Sequence, residues 1–160
     1  MSEWGMAADF QNTVDAKKIQ ELMKNCNVQI LVGFPSGRVH IPARQNDDKS
    51  IETSDLARDL HFGTSEVPAR PFLDDGLNSQ KEKINQEIKK EIEKTAAGEQ
   101  ANWDKIGTMA VGAVQEFVRG DYYKSNIPNS PETIKEKGSD TPLIDGGDLI
   151  NSCSYIVENK

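Results

Sequence analysis

Residues 57–73 read ARDLHFGTSEVPARPFL, and they decide how the middle of the chain folds. A short helix is predicted to end at Gly63, because glycine readily adopts the backbone conformation found after a last helical turn. Pro68 and Pro71 then fix two φ angles and push the residues before them towards extended geometry. The stretch therefore predicts a stiff arm that holds one shape.

The end of this arm carries one arginine and two apolar side chains. Arg70 and Phe72 are held at a defined spacing at low entropic cost, and Leu73 follows them. We predict that these three residues contact a neighbouring subunit, as an aromatic anchor beside a fork of hydrogen-bond donors. The alternative is that the arm packs on helices of its own chain.

The composition predicts one domain with a modest core. The chain has 160 residues, of which 36% are apolar and 28% are charged. This low apolar content favours either a small core with long polar segments, or a subunit that buries more of its apolar surface in an oligomer. Cys26 and Cys153 sit in no metal or redox spacing, so we expect two reduced cysteines, with a disulfide as the alternative. No run approaches the roughly 18 apolar residues of a membrane span, which predicts no membrane partner.

The charge balance limits the partners that the chain can have. Its net charge is -7, from 26 acids and 19 bases. Phosphate binding needs a concentrated basic surface, so free nucleic acid is a poor partner. An acidic surface instead suits the lining of a passage along which DNA slides without sticking.

Hydrophobic periodicity predicts both helices and short strands, including one long helical hairpin, together with extended arms. Residues 1–12 form an N-terminal arm whose aromatics, Trp4 and Phe10, either belong to a flexible tail or pack on a neighbouring subunit. Residues 13–160 form the single domain. The predicted elements are a helix over 13–25, a strand over 28–34 with a hairpin return at 39–41, a short helix through 56–60, helices over 78–95 and 101–119, a helix from Ser130 to Gly138, a helical turn over 148–152 and a strand over 152–158.

Two helices of the hairpin differ in their apolar faces. The helix over 78–95 has only a narrow stripe, formed by Ile84, Ile88 and Ile92. Its charged residues indicate a solvated face, with an inter-subunit seam through the isoleucines as the alternative. The helix over 101–119 is much richer in apolar residues, which predicts the core helix.

Catalytic chemistry is sparse in this sequence. His40 and His61 are the only histidines. A triad of Ser54 or Cys26, His61 and Asp59 can be drawn on paper, but the spacing gives no reason for it. We therefore predict no catalytic residue, no metal and no cofactor, and a packed, hydrogen-bonded role for His61.

Four segments in a fixed order resemble the virion-morphogenesis (neck or tail-completion) proteins of tailed bacteriophages. They are residues 60–63 (LHFG), 67–73 (VPARPFL), 133–138 (TIKEKG) and 142–149 (PLIDGGDL), with the long helical pair between the second and the third. The resemblance covers roughly residues 15 to 158. Residues 145–147 stand where the family more usually has Asp-Thr-Gly, and Phe62 stands where an acid commonly follows the histidine.

The resemblance implies a structural virion protein without enzymatic activity. It also implies an α+β fold, with a small antiparallel or mixed sheet flanked by helices. Such proteins form rings, commonly six-fold or twelve-fold, in the stack between portal and tail, around the DNA channel. The implied partners are further copies of the chain, other neck, connector and tail-terminator proteins, and DNA that passes without sequence-specific binding. The implied location is the virion neck, after synthesis in the host cytoplasm. The residues that we expect to shape the two motifs are His61, Gly63, Pro68, Pro71, Asp145, Gly146 and Gly147.

Three other functions are alternatives. A tail-terminator ring is the closest. A small phage-encoded hydrolase or nuclease would use His61 and nearby acids. A toxin–antitoxin or regulatory binding module is disfavoured by the missing basic patch.

Overall fold

The structure is a computed structural model that describes residues 9–40, 50–145 and 147–160. It is a mixed α+β fold, as predicted. Its described helices are α1 Asp9–Cys26, α2 Thr53–Phe62, α3 Phe72–Ser79, α4 Lys81–Ala96, α5 Trp103–Arg119, α6 Tyr122–Asn126, α7 Pro131–Lys137 and α8 Asp148–Ser152. Its described strands are β1 Val28–Gly33, β2 Val39–His40, β3 Ile51–Glu52 and β4 Ser154–Asn159.

The main sheet pairs the first long strand with the last. β1 and β4 are antiparallel, with Val28 opposite Asn159 and Gly33 opposite Ser154. The predicted hairpin between β1 and residues 39–41 is therefore wrong, because β2 pairs with β3 instead. The physical reason is length and burial: β4 offers β1 six paired residues over the core helix, whereas β2 offers two.

The helix α5 is the core helix, as the sequence predicts. Its buried face carries Ile106, Ala110, Ala113, Val114 and Val118. Helix α3 and both strands of the main sheet pack against α5.

Two glycines allow this close packing on α5. A Cβ on Gly76 of α3 would lie 2.7 Å from the Val114 Cα, and a Cβ on Gly107 of α5 would lie 2.2 Å from the Tyr155 ring. Both distances are shorter than real contacts, so a side chain at either position would push the elements apart.

Helix α4 packs on α5 through carboxylates rather than through its isoleucines. Glu91 is fully buried; it accepts hydrogen bonds from the backbone amide of Asn102 and from Lys94 Nζ, both at 2.7 Å. Glu87 accepts hydrogen bonds from Lys105 and Lys90. These donors hold the pKa of both carboxyl groups below the usual range, with the Asn102 amide the main cause at Glu91 and Lys105 the main cause at Glu87.

Element boundaries differ from the predictions at several places, and helix α6 and strand β3 were not predicted. The predicted helix over 78–95 corresponds to α4 and the last two residues of α3, with Gln80 between them; α3 itself begins at Phe72, within the predicted extended arm. Helix α1 begins at Asp9, so residues 9–12 of the predicted arm belong to a helix. Strand β4 begins two residues later than predicted. The N-cap of α7 is confirmed: Ser130 Oγ accepts a hydrogen bond from the Thr133 amide at 3.2 Å.

Candidate subunit interface

The proline-bracketed arm folds back on its own chain. The backbone amide of Arg70 donates a hydrogen bond to the Leu60 carbonyl of α2 at 2.9 Å. Gly63 starts the reversal at φ +77°, and a Cβ there would lie 2.7 Å from the Ala69 amide nitrogen. Within the loop, Thr64 Oγ1 accepts hydrogen bonds from the amides of Glu66 and Val67. Contacts within the chain therefore hold this segment, and its last two residues, Phe72 and Leu73, begin helix α3 instead of continuing the predicted extended arm.

The Arg70 side chain forms its hydrogen bonds within its own chain. It is 4% exposed, and its Nε and one terminal nitrogen donate to the carbonyls of Ile127 and Pro128 at 3.0 and 3.1 Å. Ile127 ends helix α6, so its carbonyl has no helical partner of its own. Burial lowers the pKa of the guanidinium from its usual high value. Arg70 thus fastens the loop after α6 to the arm.

Phe72 belongs to the core. It is fully buried, and its ring makes edge-to-face contacts with Phe34 and His61 at centroid distances of 5.7 and 5.6 Å. Leu73 is half-buried against the same core. The prediction that Arg70 and Phe72 contact a neighbouring subunit is wrong, because both side chains are enclosed by their own chain. The alternative prediction, that the arm packs on its own chain, agrees with the burial of both side chains.

The histidine triad drawn from the sequence is not assembled. His61 is buried, and its Nε2 lies 3.4 Å from Asp74 Oδ2. Asp59 instead accepts hydrogen bonds from Arg58, and the Ser54 hydroxyl donates to Glu52. His61 Nδ1 is buried without a hydrogen-bond partner among the described residues, so its predicted hydrogen bonding is incomplete.

Neither cysteine is in a disulfide. Cys26 is half-buried and Cys153 is buried. Burial raises the pKa of the Cys153 thiol to about 11, which keeps it protonated and unreactive at neutral pH. In the part of the chain that the structure describes, no group of three His, Cys, Asp or Glu residues could hold a metal ion. None of the described helices combines the length and the apolar content needed to cross a bilayer.

The resemblance segments meet around one cavity of about 550 Å³. Val67 and Arg70 of the arm, Thr133 and Lys137 of α7, and Asp145 of the later turn all line it. Burial lowers the pKa of Lys137, and Asp145 partly offsets this.

The later turn directs the chain from this cavity into α8. Leu143 is buried with a φ of +63°, and Gly147 has a φ of +86° at the start of α8. Gly146 lies outside the described residues.

A second, apolar groove of about 480 Å³ lies between β1 and α4. One wall is formed by Val28, Ile30 and Val32 of β1. The floor is formed by Ile106 and Ala110 of α5, both buried. The opposite wall is the isoleucine stripe of α4, namely Ile84, Ile88 and Ile92, which is half-exposed because α4 packs on α5 through Glu87 and Glu91.

Among the described residues, none pairs with the edge of β1 that borders this groove. The Lys160 amide donates to the Asn27 carbonyl at 2.9 Å, which makes residues 27 and 160 a hydrogen-bonded pair. Such pairs alternate along an antiparallel ladder, so the backbone groups of Val28, Ile30 and Val32 point away from β4. No residue of β4 lines the groove, which therefore lies on this side of β1. Within the described residues, the sheet has no third strand.

Further apolar side chains are exposed outside the groove. On the outer face of the sheet, Leu31 and Ile156 form a directly opposed pair and are 42% and 56% exposed. On α1, Ile19 and Met23 are 56% and 66% exposed. Among the described side chains of α1, only those of Leu22 and Cys26 are half-buried.

The interface predictions for the N-terminal arm remain predictions. Trp4 lies outside the described residues, and Phe10 is in α1 but its side chain is outside the described part. The groove and the free edge of β1 were missed by the sequence reasoning. The available signal was the isoleucine stripe of α4. Its alternative interpretation, as a seam between subunits, points to the residues that form one wall of the groove.

Comparison with protein-family models, with curated proteins and with solved structures finds no match to this chain.

Proposed function

We propose that this chain is a structural virion protein of a tailed bacteriophage. Copies of it form a ring in the head-to-tail connection, at the neck or tail-completion position, and surround the channel through which DNA passes. The function is mechanical: each copy is a shaped block, and the ring joins the head to the tail. This proposal rests on the resemblance of four segments and on the surfaces that a single copy leaves uncovered.

The observation that carries the proposal is the free, apolar edge of the main sheet. A two-stranded sheet is marginal alone, and an unpaired edge is a template for pairing with another chain. Here that edge borders an apolar groove, and the outer face of the sheet exposes Leu31 and Ile156. Together these surfaces favour a protein that completes its burial in an assembly.

The placement of the resemblance segments also supports the proposal. All four of them contribute residues to the lining of the 550 Å³ cavity, although the first two and the last two are distant in sequence. Arg70, in the second segment, holds the loop that leads into the third. The similar segments therefore form one structural unit, as expected when a family conserves a shape rather than a reactive group.

The negative net charge of the chain supports the proposal that its ring surrounds a DNA channel. A net charge of -7 per copy gives a ring of six copies a total of about -42. An acidic lumen repels the phosphate backbone and lets DNA slide through without being held.

Two measurements test this function. The purified chain should form a cyclic oligomer in solution, and antibody labelling should place it at the head–tail junction of intact particles. Depletion provides the functional test, because particles made without the chain should contain filled heads that are not joined to tails. Normal joining and normal infectivity after depletion would contradict the proposal.

A further inference from the structure

We propose that residues 1–8 of one copy bind in the groove of the next copy, as a third strand on the free edge of β1. This inference rests on the proposed function, since it requires copies of the chain to assemble. It names the segment and the surface through which neighbouring copies are joined.

The groove has the properties of a site for one extended strand. Along one wall, backbone amides and carbonyls of Val28, Ile30 and Val32 point away from β4 and can pair with an added strand. The floor, Ile106 and Ala110, is apolar and would cover every second side chain of that strand. β1 has six residues, which is about 20 Å of strand.

The segment at residues 1–8 has the matching pattern. It reads MSEWGMAA, so Trp4, Met6 and Ala8 alternate and share one face of an extended strand. It contains no proline, so each of its internal amides can donate to the ladder. Eight extended residues span about 27 Å, enough to run the full length of β1.

Residues 41–49, which also lie outside the described residues, fit the groove poorly. Residues 41–49 read IPARQNDDK, with one proline and four charged side chains. Proline removes a ladder donor, and the charges would lose their water on an apolar floor.

The charges of the groove and of residues 1–8 are complementary. Lys81, on the α4 wall, is the one charged residue among those that line the groove. Glu3 is the one charged side chain of residues 1–8, and it lies on the face opposite to Trp4. With Trp4 directed at the floor, Glu3 stays at the rim with Lys81, where both keep access to water.

The geometry of α1 favours a neighbouring copy as the donor. α1 has 18 residues, so it holds the start of the helix about 27 Å from its end. Among the described side chains of α1, only that of its last residue, Cys26, lines the groove. α1 contacts α4, which forms the opposite wall of the groove, and its Ile19 and Met23 remain exposed. Residues 1–8 precede the start of α1, and in this proposal each copy donates them to the next copy, which closes a ring.

Photo-cross-linking of the full-length protein tests this inference. Trp4 is replaced by photoreactive benzoylphenylalanine, and isotope-labelled and unlabelled copies are mixed before irradiation. We expect cross-links between copies that map to residues 28–32 or 84–92. The same photoreactive residue in place of Phe62, which is exposed on α2, is the control and should give no cross-link to the groove.

A pair of substitutions tests the face that is used. Met6→Asp should weaken association of copies about 10-fold or more, because it puts a charge on the apolar floor. Ala7→Asp, on the opposite face, is the matched control and should leave association within about 3-fold.

The outcomes separate this inference from the proposed function. A ring whose cross-links lie within one chain, or map away from the groove, would overturn the inference and leave the ring function standing. Equal association of the Met6→Asp and Ala7→Asp proteins would overturn it in the same way. A protein that stays monomeric without cross-links between copies would overturn both.

Discussion

Asn27 and Lys160, 133 positions apart, are joined by two hydrogen bonds: the Lys160 amide donates to the Asn27 carbonyl at 2.9 Å, and Asn27 Nδ2 donates to the Lys160 carbonyl at 2.5 Å. This pair fixes the phase of the β1–β4 ladder. Because of that phase, Gln29 and Leu31 turn their backbone groups towards β4, whereas Val28, Ile30 and Val32 turn theirs to the groove.

Amide hydrogen exchange should show this alternation directly. In dissociated protein, we expect slow exchange at Gln29 and Leu31 and fast exchange at Ile30 and Val32, because only the first pair bonds to β4. On assembly, Ile30 and Val32 should become protected. Residue-resolved exchange by NMR at low and high protein concentration measures both states. Uniform protection along β1 in the monomer would contradict the assigned phase.

Gly63→Ala should destabilise the chain by about 2–4 kcal/mol, since it combines the cost of a positive φ with a clash against the Ala69 amide. Gly98→Ala is the matched control. Gly98 has a φ of +85° but open space around it, so we expect about 1 kcal/mol. Urea unfolding of both variants measures the difference, and equal losses would show that the arm is not packed against Gly63.

Arg70→Lys should destabilise the fold by about 1–3 kcal/mol, because an ammonium cannot reproduce the fork that binds two carbonyls. Arg58→Lys, at an exposed ion pair on α2, is the control and should change the free energy of unfolding by less than about 0.5 kcal/mol. Association of copies should be unchanged in both variants. Loss of association without loss of stability in Arg70→Lys would return Arg70 to the interface.

Acid stability should depend on Glu91. Its pKa in the folded chain is held below the usual value, chiefly by the Asn102 amide, so the folded state binds this proton less readily than the unfolded state. The contribution of Glu91 is therefore complete above the unfolded pKa of about 4.3 and is lost as the pH falls through the folded pKa. Glu91→Gln should be less stable than the parent chain at pH 7 and should lose less stability between pH 5 and pH 3.

Glu93→Gln is the matched control for Glu91, because Glu93 is exposed on the same helix with a lysine 4.0 Å away. Its unfolding at pH 7 should resemble that of the parent chain. Chemical denaturation at several pH values measures both variants. If Glu91→Gln lost as much stability between pH 5 and pH 3 as the parent chain does, the role of this carboxylate would be contradicted.

Local signals predicted helices α5 and α7 well, but they did not predict α6 or most of α3. The apolar period of α5 predicts its buried face, and Ser130 with Pro131 predicts the start of α7. These elements are specified by residues within a few positions of each other. The break at Gln80, between α3 and α4, has no comparable local signal.

Distant contacts explain what sequence reasoning missed. Arg70 is buried because its partners, the carbonyls of Ile127 and Pro128, are brought to it by tertiary structure. The partner of β1 could not be read locally, because β4 lies at the other end of the chain. The groove exists because Glu91 takes the packing position on α4 and leaves the isoleucine stripe half-exposed.

The molar mass of the full-length protein in solution, measured by light scattering over a range of concentrations and paired with electron microscopy of the same sample, tests the central proposal most directly. We expect closed rings with about six or twelve times the 17.7 kDa mass of one chain. A mass of one chain at every concentration, with no ring in the images, would contradict the proposal.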